Sequence, residues 1–106
     1  MSGNPDTILT QTTIGGVEAE VVVLPIGPVS IVYARNERGI LACGAIDPGA
    51  LQKFGIAAAR VKPVGSPSIG SLADLLAGEV REANDEAAKR GVKVGMKGAE
   101  AFSKFA

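Results

Sequence analysis

The sequence has 106 residues, of which 46% are hydrophobic, and its eleven basic and eleven acidic side chains cancel. This length predicts one domain, covering residues 1–106, that can fold without metal or disulfide support. The neutral balance argues against a dedicated nucleic-acid binder, because such proteins rely on a cationic surface. We therefore expect no nucleic acid among its partners.

The chain contains no histidine and a single cysteine, Cys43. The missing histidine excludes Ser-His-Asp and Cys-His catalysis and histidine-ligated metal sites, so we expect no metal and no cofactor. Residues 1–6 are polar and lack the features of a signal peptide, and no apolar run approaches the ~20 residues of a membrane helix. With its one thiol, the protein is predicted to be cytoplasmic and without a membrane partner.

Two β-type runs, residues 7–13 and 17–21, are joined through Gly15-Gly16, which predicts a β-hairpin. Residues 21–24 (Val-Val-Val-Leu) are apolar on both faces, and the Pro-Ile-Gly-Pro run at 25–28 is expected to end the strand. A strand with two apolar faces needs cover on both sides. In a protein this small, we expect another subunit to provide the second cover.

Further strands are predicted at residues 29–34 and 40–44. Asp47-Pro48 predicts the N-cap and first residue of a short helix, which Gly55 ends. Residues 56–61 are again strand-like.

The segment that begins at Ser71 is predicted to be helical, because apolar residues recur on one helical face. These residues are Leu72, Leu76, Val80, Ala83 and Ala87. Gly78 is expected to divide the segment into two helices, and Gly91 to end it.

A short strand over residues 92–96 and a final helix over residues 97–105 are predicted to follow. The whole pattern predicts an α+β fold, in which an N-terminal antiparallel β meander precedes mixed strands and two to four helices packed on the sheet. Residues 7–46 form the β-rich region and the expected oligomerisation surface, and residues 47–106 form a mixed α/β region.

Three segments at matching spacing carry a resemblance to a known family. They are Cys43-Gly44-Ala45-Ile46-Asp47, residues 55–60 and residues 91–101. Over about residues 29–102, the chain resembles the YunC-like family of uncharacterised proteins, domain of unknown function 1805. The resemblance implies an α+β fold whose N-terminal β region forms a homo-tetramer, and it implies no established activity.

Cys43 is the first candidate for chemistry, together with Asp47 and Arg60. Cys43 ends a strand and Asp47 begins a helix, so both are expected at one sheet edge, where a helix start or Arg60 could favour a thiolate. The functional hypothesis is a nucleophilic or redox cysteine. We favour a buried, apolar Cys43 and a helix-capping Asp47, because no histidine can serve as a base.

Two glycine-bearing segments are candidates for ligand binding. Residues 65–71 follow a strand and open a helix, as a phosphate-binding loop does, but they lack the lysine of a P-loop. Residues 91–98 carry glycines and lysines that could meet an anion. An ordinary turn and helix cap are the favoured interpretation of both. The residues considered for ligand binding are Gly44, Gly65, Ser66, Ser68, Gly70, Ser71, Lys93 and Lys97.

These observations favour a non-catalytic homo-oligomeric module, expected to be a tetramer, that binds a small anionic metabolite or serves as an assembly unit. Its expected partners are copies of itself and a small anionic ligand. Two alternatives stay open, namely an enzyme that uses Cys43 and a protein-interaction adaptor.

Overall fold

A six-stranded mixed sheet forms the centre of the protein, of which the computed structural model describes residues 7–106. Residues 1–6, on which the prediction of no signal peptide rests, lie outside the described residues. The strands lie side by side in chain order and are β1 (Ile8–Ile14), β2 (Val17–Ile26), β3 (Val29–Arg35), β4 (Ile40–Ala42), β5 (Ala58–Lys62) and β6 (Glu79–Ala83). The helices are α1 (Pro48–Gln52), α2 (Leu72–Ala77), α3 (Asp85–Lys89) and α4 (Gly98–Ser103). None of these helices is long and apolar enough to cross a membrane.

The strands β1 to β4 form an antiparallel meander, as predicted. Gly15 and Gly16 connect β1 to β2 with φ angles of 57° and 83°, the left-handed values that a two-residue hairpin turn requires. β2 extends through Ile26, beyond the predicted end of the strand, because the turn lies at Gly27. The chain then passes through α1 from β4 to β5, which lie parallel, and β6 pairs antiparallel with β5. This arrangement confirms the predicted α+β fold.

The helices α2 and α4 pack on one face of the sheet, which we call the core face. Val32 and Leu41 are fully buried there against the apolar side chains of both helices. Phe102 and Phe105 are also fully buried, and their rings meet edge to face with centroids 5.8 Å apart. Burial of these apolar side chains is the principal stabilising term of the fold.

Residues 79–83 form strand β6, which corrects the prediction of a helix over this segment. The apolar side chains of the segment fall at helical spacing from those of α2, and local periodicity cannot reveal a partner strand that is distant in sequence. Gly78 ends α2, so the predicted division at this residue is correct. Beyond it, β6 pairs with β5, and Lys62 and Glu79 form an ion pair of 3.5 Å across the two strands.

Residues 92–96 form a turn rather than the predicted strand. Gly95 adopts a φ of 93°, which an extended strand does not allow. The Gly95 amide donates to the Val80 carbonyl (2.8 Å), and the Val80 amide donates to the Met96 carbonyl (2.8 Å). The turn therefore lies along the free side of β6 without continuing as a strand. The predicted final helix is present as α4.

Asn84 fastens α1, β5 and α3 together. Only 7% of its surface is exposed, and it is the N-cap residue of α3. Its side-chain nitrogen donates to the carbonyls of Pro48 (2.9 Å) and Ile56 (2.8 Å). Its side-chain oxygen accepts from the amides of Ala58 (3.1 Å) and Ala87 (3.0 Å). The two N–H donors and both acceptor positions of the carboxamide are therefore satisfied.

Replacement of Asn84 by aspartate keeps the shape of the side chain but removes both N–H donors. We expect Asn84→Asp to lower the free energy of unfolding by about 3–5 kcal/mol, because a buried carboxylate would face two carbonyl oxygens. Asn36→Asp is the matched control. Asn36 is less buried and donates to one carbonyl, that of Phe105 (2.9 Å), so its loss should be about 1–2 kcal/mol. Urea denaturation measures both variants, and equal losses would contradict the central role of Asn84.

Gly98 lies where α4 approaches the end of α2. Its amide donates to the Gly78 carbonyl (2.9 Å), and a Cβ atom on Gly98 would overlap the carbonyl oxygen of Leu75. We expect Gly98→Ala to lower the free energy of unfolding by about 2 kcal/mol, because this backbone clash outweighs the ~1 kcal/mol by which alanine favours a helix. Gly44→Ala is the control in thermal unfolding, since a Cβ atom there meets nothing within 4 Å. A Gly98→Ala variant as stable as the wild type would contradict the close approach of the two helices.

Candidate functional site

A cleft opens at the end of the sheet where β4 and β5 lie parallel. Its volume is about 330 Å³, and its walls come from the start of β3, residues 43–45, the end of β5, β6 and residues 67–69. The carboxyl ends of β4 and β5 both border the cleft, which is the usual position of ligands in sheets with parallel strands. Of the predicted site residues, Cys43, Gly44 and Ser68 meet here.

Cys43 lies in the wall of this cleft and is 5% exposed. It directly follows β4 and continues its pairing with β3, since its amide donates to the Val32 carbonyl (2.9 Å). The Val32 amide in turn donates to the Cys43 sulfur (3.5 Å). The sheet therefore holds the thiol in place, with a backbone amide as its hydrogen-bond partner.

Asp47 and Arg60 have structural partners of their own. Asp47 caps α1, where its side chain accepts from the Gly49 amide (2.9 Å). Arg60 pairs with Glu82 (2.7 Å) across β5 and β6 and donates from Nη1 to the Gly44 carbonyl (3.2 Å), while its buried Nε has no hydrogen-bond partner in the described chain. Within residues 7–106, no hydrogen bond or ion pair joins the Cys43 thiol to Asp47 or Arg60. Arg60 is thus connected to Cys43 only indirectly, through its hydrogen bond to the carbonyl of the next residue, Gly44.

Several polar groups of the loop from Gly65 to Ser71 form hydrogen bonds within the loop and with α2. The Ser66 hydroxyl donates to the Ser68 carbonyl (2.9 Å), and the Gly70 amide donates to the Asp74 carboxylate (3.0 Å). The Ser71 hydroxyl accepts from the Asp74 amide (3.2 Å) as the N-cap of α2. An anion at this helix start would have to displace the Asp74 carboxylate.

Lys93 and Lys97 are exposed and lie outside the lining of the cleft. Lys97 is the N-cap residue of α4, and its backbone pairs with that of Glu79 in β6 as an isolated antiparallel β-bridge. The glycines of this segment have structural explanations. Gly91 ends α3 with a φ of 99°, and Gly98 allows the close approach of α4 to α2.

Three polar residues of the cleft, Ser30, Lys62 and Arg81, were not predicted from the sequence. Ser30 lies in a strand that shows no motif. Lys62 and Arg81 can be assigned to one cleft only after β6 is placed beside β5. Residues 79–81 (Glu-Val-Arg) alternate between polar and apolar, but Glu82 breaks the alternation, so the sequence carries little signal for this strand.

A wider depression of about 700 Å³ lies beside β1, β2 and the end of the chain. Its two arginines have partners, whereas Glu18 and Glu37 make no side-chain hydrogen bond or ion pair within residues 7–106. Arg35 pairs with Glu20 (2.7 Å), and Arg38 donates to the Ala106 carbonyl (3.2 Å). The cleft beside Cys43 is the better candidate site, because it brings together three predicted site residues and a cation, Arg81, whose side chain makes no hydrogen bond or ion pair within residues 7–106. In the described part of the chain, no group of three cysteine, aspartate or glutamate residues could hold a metal ion.

The comparisons with known proteins place this chain in a family and identify its fold. Residues 42–105 match the family model described as Domain of unknown function (DUF1805). The chain also resembles the crystal structure of a protein of unknown function from Thermoplasma acidophilum, with 25% identity and a TM-score of 0.81. The match covers 94% of this chain and 93% of the other, so most of β1–β3 is shared as well. No curated protein matches the sequence.

The burial of Cys43 predicts low thiol reactivity. We expect iodoacetamide to modify the native protein at least roughly tenfold more slowly than the urea-unfolded protein, because the thiol must be exposed by local opening before it reacts. Mass spectrometry of timed samples measures both rates. Rapid and complete modification of the native protein would contradict this prediction and support the enzyme hypothesis.

Proposed function

The chain belongs to the DUF1805 family, and we propose that it is a non-catalytic homo-oligomeric module that assembles through an uncovered apolar face of its sheet. The supporting observation is a group of apolar side chains opposite the core face, on β1, β2 and β3. We call this group the outer face, and its residues are Leu9, Val22, Leu24, Ile26, Val29, Ile31 and Tyr33.

The strand register places the side chains of the outer face next to one another. The register pairs are Leu9–Val22, Val22–Tyr33, Leu24–Ile31 and Ile26–Val29. Paired residues of antiparallel strands project to the same side, so these side chains form one continuous patch. Leu9, Ile26 and Val29 are exposed, and the other members are half-buried, with Ile31 also packed against the buried core cluster.

A second copy of the chain is the occupant that we propose for the outer face. None of its seven members is charged, and such a patch is self-complementary when two copies meet about a two-fold axis. Monomeric proteins rarely leave a continuous apolar patch of this kind in water. The burial of this patch between two copies would stabilise both.

The edge strand β1 offers a second surface for self-association. It carries neither a charged residue nor a proline, the usual features that prevent edge strands from pairing with other chains. No other strand of residues 7–106 pairs with its outer edge. Contacts through the outer face and through this edge would involve different parts of one subunit, and two kinds of two-fold contact generate a tetramer.

We therefore place the assembly contacts in residues 7–46 and assign residues 47–106 to completing the fold. A cytoplasmic location is part of this proposal, because the free and buried thiol of Cys43 suits a reducing compartment. The enzyme alternative is less favoured, since within residues 7–106 the Cys43 sulfur accepts its hydrogen bond from the Val32 backbone amide and not from a side-chain base. An adaptor for other proteins would use the same face but would be monomeric when pure.

Light scattering after size-exclusion chromatography tests the assembly. We expect the wild type at micromolar concentration to have about four times the subunit mass of 10.7 kDa. Leu24→Glu should weaken association at least about a hundredfold, because it would bury unpaired carboxylates at the centre of the interface. A wild type that elutes as a monomer would sink the proposal.

A matched pair of exposed positions separates a specific interface from a general effect of added charge. Leu9 on the outer face is 64% exposed, and Val94 in the turn beside β6 is 67% exposed. We expect Leu9→Glu to shift the assembly toward smaller species and Val94→Glu to leave its mass unchanged. The same shift in both variants would place the contact elsewhere.

A further inference from the structure

Arg81 lies at an irregularity in the pairing of β5 and β6. Arg60 pairs with Glu82 and Val61 pairs with Val80, so Arg81 is an extra residue on β6 without a register partner. A β-bulge of this kind redirects a side chain and is frequent next to binding sites. Here the bulged residue is one of those that line the cleft beside Cys43.

The charges around Arg81 distinguish it from its neighbours. Arg60 and Lys62 on β5 each form an ion pair, with Glu82 (2.7 Å) and Glu79 (3.5 Å). Arg81 has no hydrogen bond or ion pair from its side chain within residues 7–106, and no carboxylate lines the cleft. The guanidinium is therefore available to an anion, for which its planar donors suit a carboxylate.

The remaining walls of the cleft indicate what kind of anion fits. Ser30 and Ser68 contribute hydroxyl groups, but most of the other walls are apolar, from residues such as Val61, Pro67 and Ile69. A volume of about 330 Å³ is near the lower limit for ligand sites, which are commonly apolar with a few polar groups that fix orientation. A bare inorganic ion would leave these apolar walls without a partner.

We propose that this cleft binds a small organic carboxylate with a short, branched apolar body. Arg81 holds the carboxylate and the apolar walls contact the body of the ligand, while Lys62 stays paired with Glu79. The Arg60 contact to the Gly44 carbonyl holds the loop that forms one wall. All of these residues come from one chain, although Val29, which also lines the cleft, belongs to the outer face.

The test uses isobutyrate as the probe, with amide NMR spectra of the full-length protein as the readout. We expect saturable shifts of the Gly44, Ala45 and Ile69 amides, with a dissociation constant on the order of millimolar for so small a ligand. Isobutyramide, the neutral counterpart, should bind at least about tenfold more weakly, because it lacks the charge that Arg81 recognises. Acetate and inorganic phosphate, which lack the apolar body, should also bind more weakly.

Two charge-matched variants identify the anchoring residue. Arg81→Gln should weaken isobutyrate at least about tenfold, whereas Arg90→Gln, at an exposed position outside the cleft, should leave it unchanged. No saturable binding by the wild type, equal weakening in the two variants, or phosphate as the preferred probe would each overturn the proposal. The subunit mass is measured on the same samples, so a failure of the assembly is recognised separately.

Discussion

The sheet has two faces, and the four helices of residues 7–106, each of five or six residues, cannot bury both of them. α2 and α4 pack on the core face, where the largest buried side chains collect. On the opposite side, Ala42 and Ala58 are buried, but β1 to β3 keep the large apolar side chains of the outer face exposed or half-buried. Because apolar burial is the main driving force for folding and association, this unequal cover underlies the assembly that we propose.

The same architecture creates the cleft. β4 and β5 are the parallel pair in an otherwise antiparallel sheet, and the chain must leave one end of β4 and return to the start of β5. Asn84 fixes that return by bonding to the segments on both sides of it. At the carboxyl ends of β4 and β5 the two segments that follow them diverge, and the cleft lies between them. The bulge of β6 brings Arg81 into its wall. Assembly and ligand binding thus use neighbouring parts of the sheet, which meet at Val29.

Local signals in the sequence predicted much of this fold. Gly15-Gly16 located the hairpin, and the capping residues Asp47 and Ser71 located the starts of α1 and α2, because each acts on its immediate neighbours. β6 was not predicted, since its identity depends on pairing with β5 across the intervening helix. The position of Cys43 at the end of a strand could be predicted from the sequence. The positions of Lys62 and Arg81 in the cleft could not, because they depend on the strand register and on a bulge.

Tyr33 is the single tyrosine of a chain without tryptophan, and it lies on the outer face. Its fluorescence therefore reports directly on whether that face is covered. Acrylamide quenching of the wild type, compared with Leu24→Glu at the same concentration, tests whether a second copy covers it. We predict that Tyr33 is clearly less accessible to the quencher in the wild type. Equal quenching in both proteins, at the level of an exposed tyrosine, would contradict the proposed assembly.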